Sequence, residues 1–278
     1  MILLTRVETR DFQALFHRCV AGRPRGPTPP VAIQIRDETR IITATTLDGV
    51  VLTHTSPAPK EHDDFVLLPA SVLTEVEGST DEVVTLERQS KLRAVVRWHG
   101  GGKPRTLPVE LILPGKQHEI PAPPEFSAVS AKLLSALYEC GRTAAKDSGR
   151  YALSKIQLQG KAGRVIGTDG KVALLWAGFP FPFTDDALVP AVPVFGSKPL
   201  ARLEQVRVGR TATHFVVAAG PWAVSLPVDT KARYPDVASV VPGHAPTTAG
   251  IDARDAVELL KALPTLPGGE EELSLIHI

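Results

Sequence analysis

A short pattern occurs twice in this chain at a wide, fixed spacing. Thr46-Leu47-Asp48-Gly49-Val50-Val51-Leu52 sets an Asp-Gly pair between β-rich runs, and Gly167-Thr168-Asp169-Gly170-Lys171-Val172-Ala173-Leu174-Leu175-Trp176 repeats it, with Asp169 lying 121 positions after Asp48. At the same spacing Leu68-Pro69-Ala70 returns as Val189-Pro190-Ala191, and the helix-like run from Phe12 to Cys19 returns as Leu133 to Cys140. Three signals at one offset predict two copies of one structural unit. A length of 278 residues, at about 100–200 residues per domain, agrees with domains over 1–120 and 121–245 and the start of another over 246–278.

Within the first copy, Phe12, Leu15, Phe16 and Cys19 share one helical face and predict a helix over Arg10–Val20, with Arg10 and His17 on the opposite side. Gly22-Arg23-Pro24-Arg25-Gly26-Pro27 cannot continue it and reads as a basic loop. Runs at 31–35, 40–45 and 50–54, separated by Asp37-Glu38 and Asp48-Gly49, predict an antiparallel meander. A strand at 64–68, a short helix opened by Pro69 and ending at Val76, and strands at 83–86, 92–98 and 106–111 complete the unit.

Ile120-Pro121-Ala122-Pro123-Pro124-Glu125-Phe126 reads as a stiff linker. The order then returns: a helix over 131–141 with Lys132 and Arg142 turned away from its apolar face, strands at 153–158, 164–167 and 172–176, a strand ending at Val189, a helical segment near 195–203, and strands at 205–208, 214–218 and 222–227. A last amphipathic helix is expected over 252–263. Leu273-Ser274-Leu275-Ile276-His277-Ile278 reads as a translated transposon end from sequencing-library preparation and is excluded from fold reasoning.

Charge narrows the function. With 31 Lys and Arg against 30 Asp and Glu, the net charge is +1, which excludes a strongly basic, histone-like binder and leaves nucleic-acid contact to local patches. Cys19 and Cys140, the two cysteines, fall on apolar stripes and read as buried small hydrophobes in a reducing interior. No run approaches a membrane span, so a cytoplasmic location is expected. The eight histidines show no metal-ligand spacing, Gly100-Gly101-Gly102-Lys103 lacks the P-loop spacing and its Ser or Thr, and no nucleophile elbow occurs.

The repeated helix and strand units, with Thr168-Asp169-Gly170 after Val165-Ile166, and Lys231-Ala232-Arg233-Tyr234-Pro235-Asp236 followed by Val240-Val241-Pro242, resemble the bacterial DNA polymerase sliding clamp, the beta subunit of the replicase. The resemblance covers residues 1–263 and is strongest over 125–242. It implies an α+β DNA clamp fold, with antiparallel sheets outside and helices lining a hole, in a chain truncated before or within its third domain. It also implies a head-to-tail homodimeric ring on duplex DNA when full length, with no catalysis and no cofactor.

On the same resemblance Arg10, His17, Arg23, Arg25, Lys132, Arg142, Lys146 and Arg150 face DNA phosphates. Leu153, Thr168, Gly170, Lys171, Val172 and Pro242 form the middle-domain wall of a pocket for short peptides of the replicative polymerase, the clamp loader and repair proteins. Two departures stand out. Lys171-Val172 replaces the family's usual His-Arg, and Val189-Pro190-Ala191-Val192 lacks the basic residues common after this Pro. They motivate an alternative, a clamp-fold paralogue serving as a non-replicative protein-binding scaffold. From the residues alone, Asp48-Gly49 is a plain hairpin turn, exposed basic residues are solvated surface, Tyr234-Pro235-Asp236 is structural, and Trp98, Trp176 and Trp222 are packing residues.

Overall fold

Strand β1 (Ile2–Thr5) runs directly into helix α1 (Arg6–His17). The helix therefore starts four residues before its apolar stripe predicts, because of a capping box. Thr5 Oγ1 accepts the Glu8 N–H at 3.2 Å, and the Glu8 carboxylate accepts the Thr5 N–H at 3.3 Å, so two N–H groups at the helix start are satisfied by side chains. The stripe begins at Phe12 because the first turn is docked by polar contacts. Glu8 also receives Arg40 Nη2 at 2.5 and 2.6 Å and Ser56 Oγ at 3.3 Å.

This computed structural model describes residues 1–20, 26–59, 63–115, 124–146, 151–240 and 250–263. Residues 1–237 form one compact unit and residues 238–278 a second. After α1 come β2 (Val31–Arg36), β3 (Thr39–Thr45), β4 (Val51–Pro57), β5 (Asp64–Leu68), helix α2 (Ser71–Val76), β6 (Val83–Arg88), β7 (Arg93–Gly100) and β8 (Lys103–Glu110). The expected meander is β2, β3 and β4, paired in antiparallel succession. Its first turn carries left-handed backbone at both Asp37 and Glu38, φ 49° and 58°, as a two-residue hairpin of this type requires. Pro69 precedes the cap residue Ala70 of α2 rather than opening the first turn.

The second series is β9 (Ser127–Val129), helix α3 (Lys132–Thr143), β10 (Lys155–Gln159), β11 (Arg164–Thr168), β12 (Ala173–Ala177), β13 (Asp186–Pro190), a 3-10 turn (Pro193–Gly196), helix α4 (Lys198–Ala201), β14 (Val206–Arg210), β15 (His214–Ala219) and β16 (Trp222–Pro227). The turn and α4 replace the single helical segment expected near 195–203. Part of the expected proline-rich linker, 120–123, lies outside the described residues.

The two series have one topology. The first makes the strand orders β1-β6-β7-β8 and β5-β2-β3-β4; the second makes β9-β14-β15-β16 and β13-β10-β11-β12. They join where β4 pairs antiparallel with β16, Trp222 opposite His54 and Ser225 opposite Val51, so that two four-stranded halves become one eight-stranded sheet. The spacing between equivalents is not uniform. It is 121 at the Asp-Gly turns but 126 at the helix starts, Arg6 to Lys132, and 119 at the last strands, Lys103 to Trp222. The buried faces nevertheless match at 121, Phe12, Leu15, Phe16 and Cys19 answering to Leu133, Ala136, Leu137 and Cys140, so the larger figure for the helix starts reflects the five extra residues that α1 has ahead of its apolar stripe.

The core lies between the sheets and the helices. Phe12, Leu15 and Phe16 of α1, and Leu133, Leu134, Ala136, Leu137 and Cys140 of α3, are buried, at about 2 kcal/mol for each large side chain. Trp222 is buried, its ring 4.2 Å from that of His54 and 6.3 Å from that of Phe12, while Trp98 and Trp176 pack half-buried against the core. A Cβ at Gly167 would stand 2.1 Å from the Cys140 carbonyl oxygen, so α3 rests on β11 backbone to backbone.

Helix α5 (Val237–Val240) begins at the end of the first unit. In the second unit, helix α6 (Ala253–Ala262) is capped by Asp252, whose side chain accepts the Arg254 N–H at 2.8 Å. None of its residues is buried, and Val257, Leu259 and Leu260 are exposed. Residues 264–278, including the suspected artefact, lie outside the described residues.

Candidate functional site

The β11–β12 turn is a rigid knot of main-chain bonds. Gly170 has φ +93°, a conformation that side-chain-bearing residues adopt only with strain. Asp169 accepts the N–H groups of Lys171 and Val172, each at 2.8 Å, and those bonds, that of Val172 foremost, hold its carboxyl below the ordinary range. Thr168, itself buried, donates its hydroxyl to the Val172 carbonyl at 2.6 Å and accepts the Gly170 N–H at 3.0 Å. The first-series turn is built similarly but not identically. Gly49 has φ +81°, and Thr46 Oγ1 accepts the Val50 N–H at 3.0 Å.

Three further segments converge on this turn. Leu153 Cδ1 lies 3.5 Å from where a Gly170 Cβ would be, and the Leu153 carbonyl is held by the Ala145 N–H at 2.9 Å just past α3. The Ala152 N–H donates to the Arg233 carbonyl at 2.9 Å, and the Tyr234 hydroxyl donates to the Ile166 carbonyl at 3.3 Å. Burial pushes that phenol up to about 12. Asp229 anchors the same returning segment. It pairs with Lys155 and accepts the N–H groups of Lys231 and Ala232, bonds that, Lys155 first, bring its carboxyl down to about 2.

Leu153, Thr168, Gly170, Lys171 and Val172 therefore sit around one turn, with Leu153 half-buried and Val172 62% exposed. Pro242 lies outside the described residues. The sequence alone does not point to Ala152 or Arg233 as neighbours of the turn, and it gives Tyr234 only a structural role. The Tyr-Pro-Asp run was visible, but nothing local says which strand its hydroxyl reaches.

The basic candidates divide in two. His17, Lys132 and Lys146 are exposed. Arg10 is paired with Asp11 at 2.8 Å, and Arg142 with Glu139 at 3.3 Å while lying 5.8 Å over the Tyr138 ring. Arg18, exposed just beyond α1, was overlooked. Arg6 on the same helix is structural, donating to the carbonyls of Val76 and Glu77 at the end of α2. Arg23, Arg25 and Arg150 lie outside the described residues.

Burial pushes both thiols up to about 12, so neither is a nucleophile at neutral pH. Among the described residues no three His, Cys, Asp or Glu side chains come together as metal ligands, and no helix is long and apolar enough to cross a membrane. At the turn the exposed Val172 and half-buried Leu153 lie beside a fixed backbone.

No protein-family model and no curated protein matches this sequence. Solved structures do match by fold. The DnaN sliding clamp of Pseudomonas aeruginosa, bound to griselimycin, superposes with a TM-score of 0.67 at 16% identity, over 87% of this chain and 67% of that one. The Helicobacter pylori beta clamp bound to a DNA ligase peptide gives 0.68 at 13% identity, over 96% and 77%. The DNA polymerase III beta subunit of Thermotoga maritima gives 0.66 at 18% identity, over 87% and 67%. The chain has the α+β sliding-clamp fold.

Proposed function

We propose that this chain is part of a DNA replication processivity factor, a sliding clamp that encircles duplex DNA in the cytoplasm and tethers the replicative polymerase without catalysing a reaction. The observation that carries the reading is the β4–β16 joint, by which two units of one topology share a sheet edge to edge. Units joined this way can be added in series until a ring closes. On this reading 1–120 and 121–245 are the first two domains, and α6, whose apolar side has no cover among the described residues, opens a third over 246–278.

A ring holds DNA topologically and needs only a weakly basic lining that slides, which a net charge of +1 allows. Arg10, His17, Lys132, Arg142 and Lys146, with Arg23, Arg25 and Arg150, supply that lining. Leu153, Thr168, Gly170, Lys171 and Val172, with Pro242, receive short peptides of the polymerase, the clamp loader and repair proteins. The complete gene product, a homodimer on this reading, should stay on circular DNA and slide off linear DNA; equal release from both rejects the clamp. A peptide of the Gln-Leu-x-Leu-Phe type should bind, and Thr168→Arg or Gly170→Trp should abolish binding; unchanged binding in both variants rejects the pocket.

A second reading, a clamp-fold scaffold that binds proteins but not DNA, is favoured by the carboxylates that already neutralise Arg10 and Arg142. It predicts peptide binding with no difference between circular and linear DNA.

A further inference from the structure

The two series differ sharply at one place, the cleft where the end of the long helix meets the segment after a Pro-Ala pair. In the first series this cleft lies between α1 and the start of α2, with Thr28, Pro30 and Val31 also lining it, and its volume is about 360 Å³. In the second it lies between α3 and the turn at Pro193, and only about 80 Å³ is left. His17 and Ala70 line the first, Tyr138 and Ala191 the second, and both pairs of positions are 121 apart. The two clefts are therefore one place in the repeated fold.

Side chains at the repeated positions explain the difference. Where the second series has Leu134, Tyr138, Val192 and Phe195, the first has Gln13, His17, Ser71 and Thr74. Leu134, Val192 and Phe195 are buried, and Tyr138 is half-buried with its ring over Gly196. His17, Ser71 and Thr74 are instead exposed. The second series fills the place with two benzene rings and two branched aliphatic groups of its own, and the first leaves it open.

The open cleft has the make-up of a site for a ring brought from elsewhere. Phe12, Phe16, Pro69 and Ala70 give it apolar surface, while Gln13, Thr28, Ser71 and Thr74 bring amide and hydroxyl groups from three segments. The Thr74 hydroxyl donates to the Gln13 amide oxygen at 2.9 Å, and the Gln13 amide donates to the Glu77 carboxylate at 3.3 Å, so Gln13 is fixed across the two helices. Of the lining residues His17 alone is ionisable, and a charged ligand would find no permanent counter-charge. A concave pocket in the range of about 300–1,000 Å³, apolar with a few convergent polar groups, is the form that small-molecule sites take.

We propose that this cleft binds a small, uncharged aromatic molecule of the phenol class, its ring in the place that Tyr138 and Phe195 fill in the second series and its hydroxyl among Gln13, Ser71 and Thr74. The site stands whether or not the protein encircles DNA. That the ring arrives on a free molecule rather than on a polypeptide rests on the clamp reading, in which His17 faces DNA and a bound chain would stand in its path.

The probe is p-cresol, titrated into the 278-residue chain and followed by amide chemical shifts. Signals of Gln13, Thr28, Ser71 and Thr74 should move with a Kd of about 1 mM, while those of Tyr138 and Ala191 stay. Gln13→Leu with Thr74→Phe, which copies the second series, should weaken binding at least about tenfold, and if that chain fails to fold, Thr74→Phe alone should do so. Unmoved signals in the wild type, or equal binding by a natively folded filled variant, overturn the site. Equal affinity for methylcyclohexanol overturns the aromatic class, and equal affinity for p-toluate overturns the uncharged one. Tighter binding of a Gly-Gly-Tyr-Gly-Gly peptide, moving the same signals, overturns the free molecule. Retention on circular DNA, measured without the phenol, tests the clamp reading separately.

Discussion

The two series share one topology but fix their long helices by opposite means. Helix α1 is docked by charge: Glu8 caps its start and binds Arg40, with side chains only 10% and 11% exposed, and the His54 ring nitrogen lies 3.1 Å from the same carboxylate. Helix α3 has no side-chain cap at Ala131 and is docked by contact, with Gly167 under the Cys140 carbonyl and Gly196 under the Tyr138 ring, where a Cβ would come within 2.4 Å. One fold thus tolerates either a buried polar anchor or a close steric fit at the same joint. The two differ in what breaks them, since an ion pair fails when one partner is removed and a steric fit fails when one atom is added.

The sharpest break of the contrast is Gly167→Ala. The backbone of α3 must move, and a loss of about 3 kcal/mol or more is expected, read as a lowered urea midpoint. A loss under about 1 kcal/mol would mean that α3 is not held by that contact. Next comes Glu8→Ala, which strands the buried Arg40 guanidinium. Removing one partner of such a pair costs about 3 kcal/mol, and Arg40→Ala in the same background should add little, because the pair is already broken. Full additivity of the two would show that Glu8 acts on α1 only as a cap.

A smaller effect separates the two Asp-Gly turns. Thr168→Val removes a hydroxyl that both donates and accepts, whereas Thr46→Val removes one that accepts the Val50 N–H. Costs of about 2 and about 1 kcal/mol follow, measurable by thermal melting, and equal costs would erase the distinction.

The mildest test is acid. Burial alone would raise the Glu8 carboxyl, but His54 and Arg40 together bring it below its usual 4.5, while Asp229 is brought to about 2 from 3.8. Both folded values are depressed, so each contribution is complete above the unfolded pKa and is lost as pH falls through the folded one. The melting deficit of Asp229→Asn relative to wild type should be constant above pH 3.8 and shrink toward pH 2. A deficit that instead grew on acidification would reverse the sign of the argument.

Much of this was legible in residue order. The meander, both Asp-Gly turns, the burial of Cys19 and Cys140 and the exposure of Lys132 follow from alternation, helical spacing and glycine chemistry, all of which act over a few residues. The start of α1 was read too late because apolar periodicity cannot report a polar first turn, although Thr5 and Glu8 already had capping-box spacing. The cluster around Gly170 was half legible: Thr168 to Val172 are contiguous, but Leu153 and Arg233 reach the turn only through the path of the chain.

By itself, then, the sequence determined which segments become helix, strand and turn, and that one arrangement occurs twice, because these depend on neighbours a few positions apart. The tertiary structure alone decided that Ser225 meets Val51 across the joint, that Arg6 is spent on the end of α2 while Lys132 stays free for solvent, and that Gln13 meets Thr74 across two helices. Pairings between residues so far apart in the chain leave no local periodic trace.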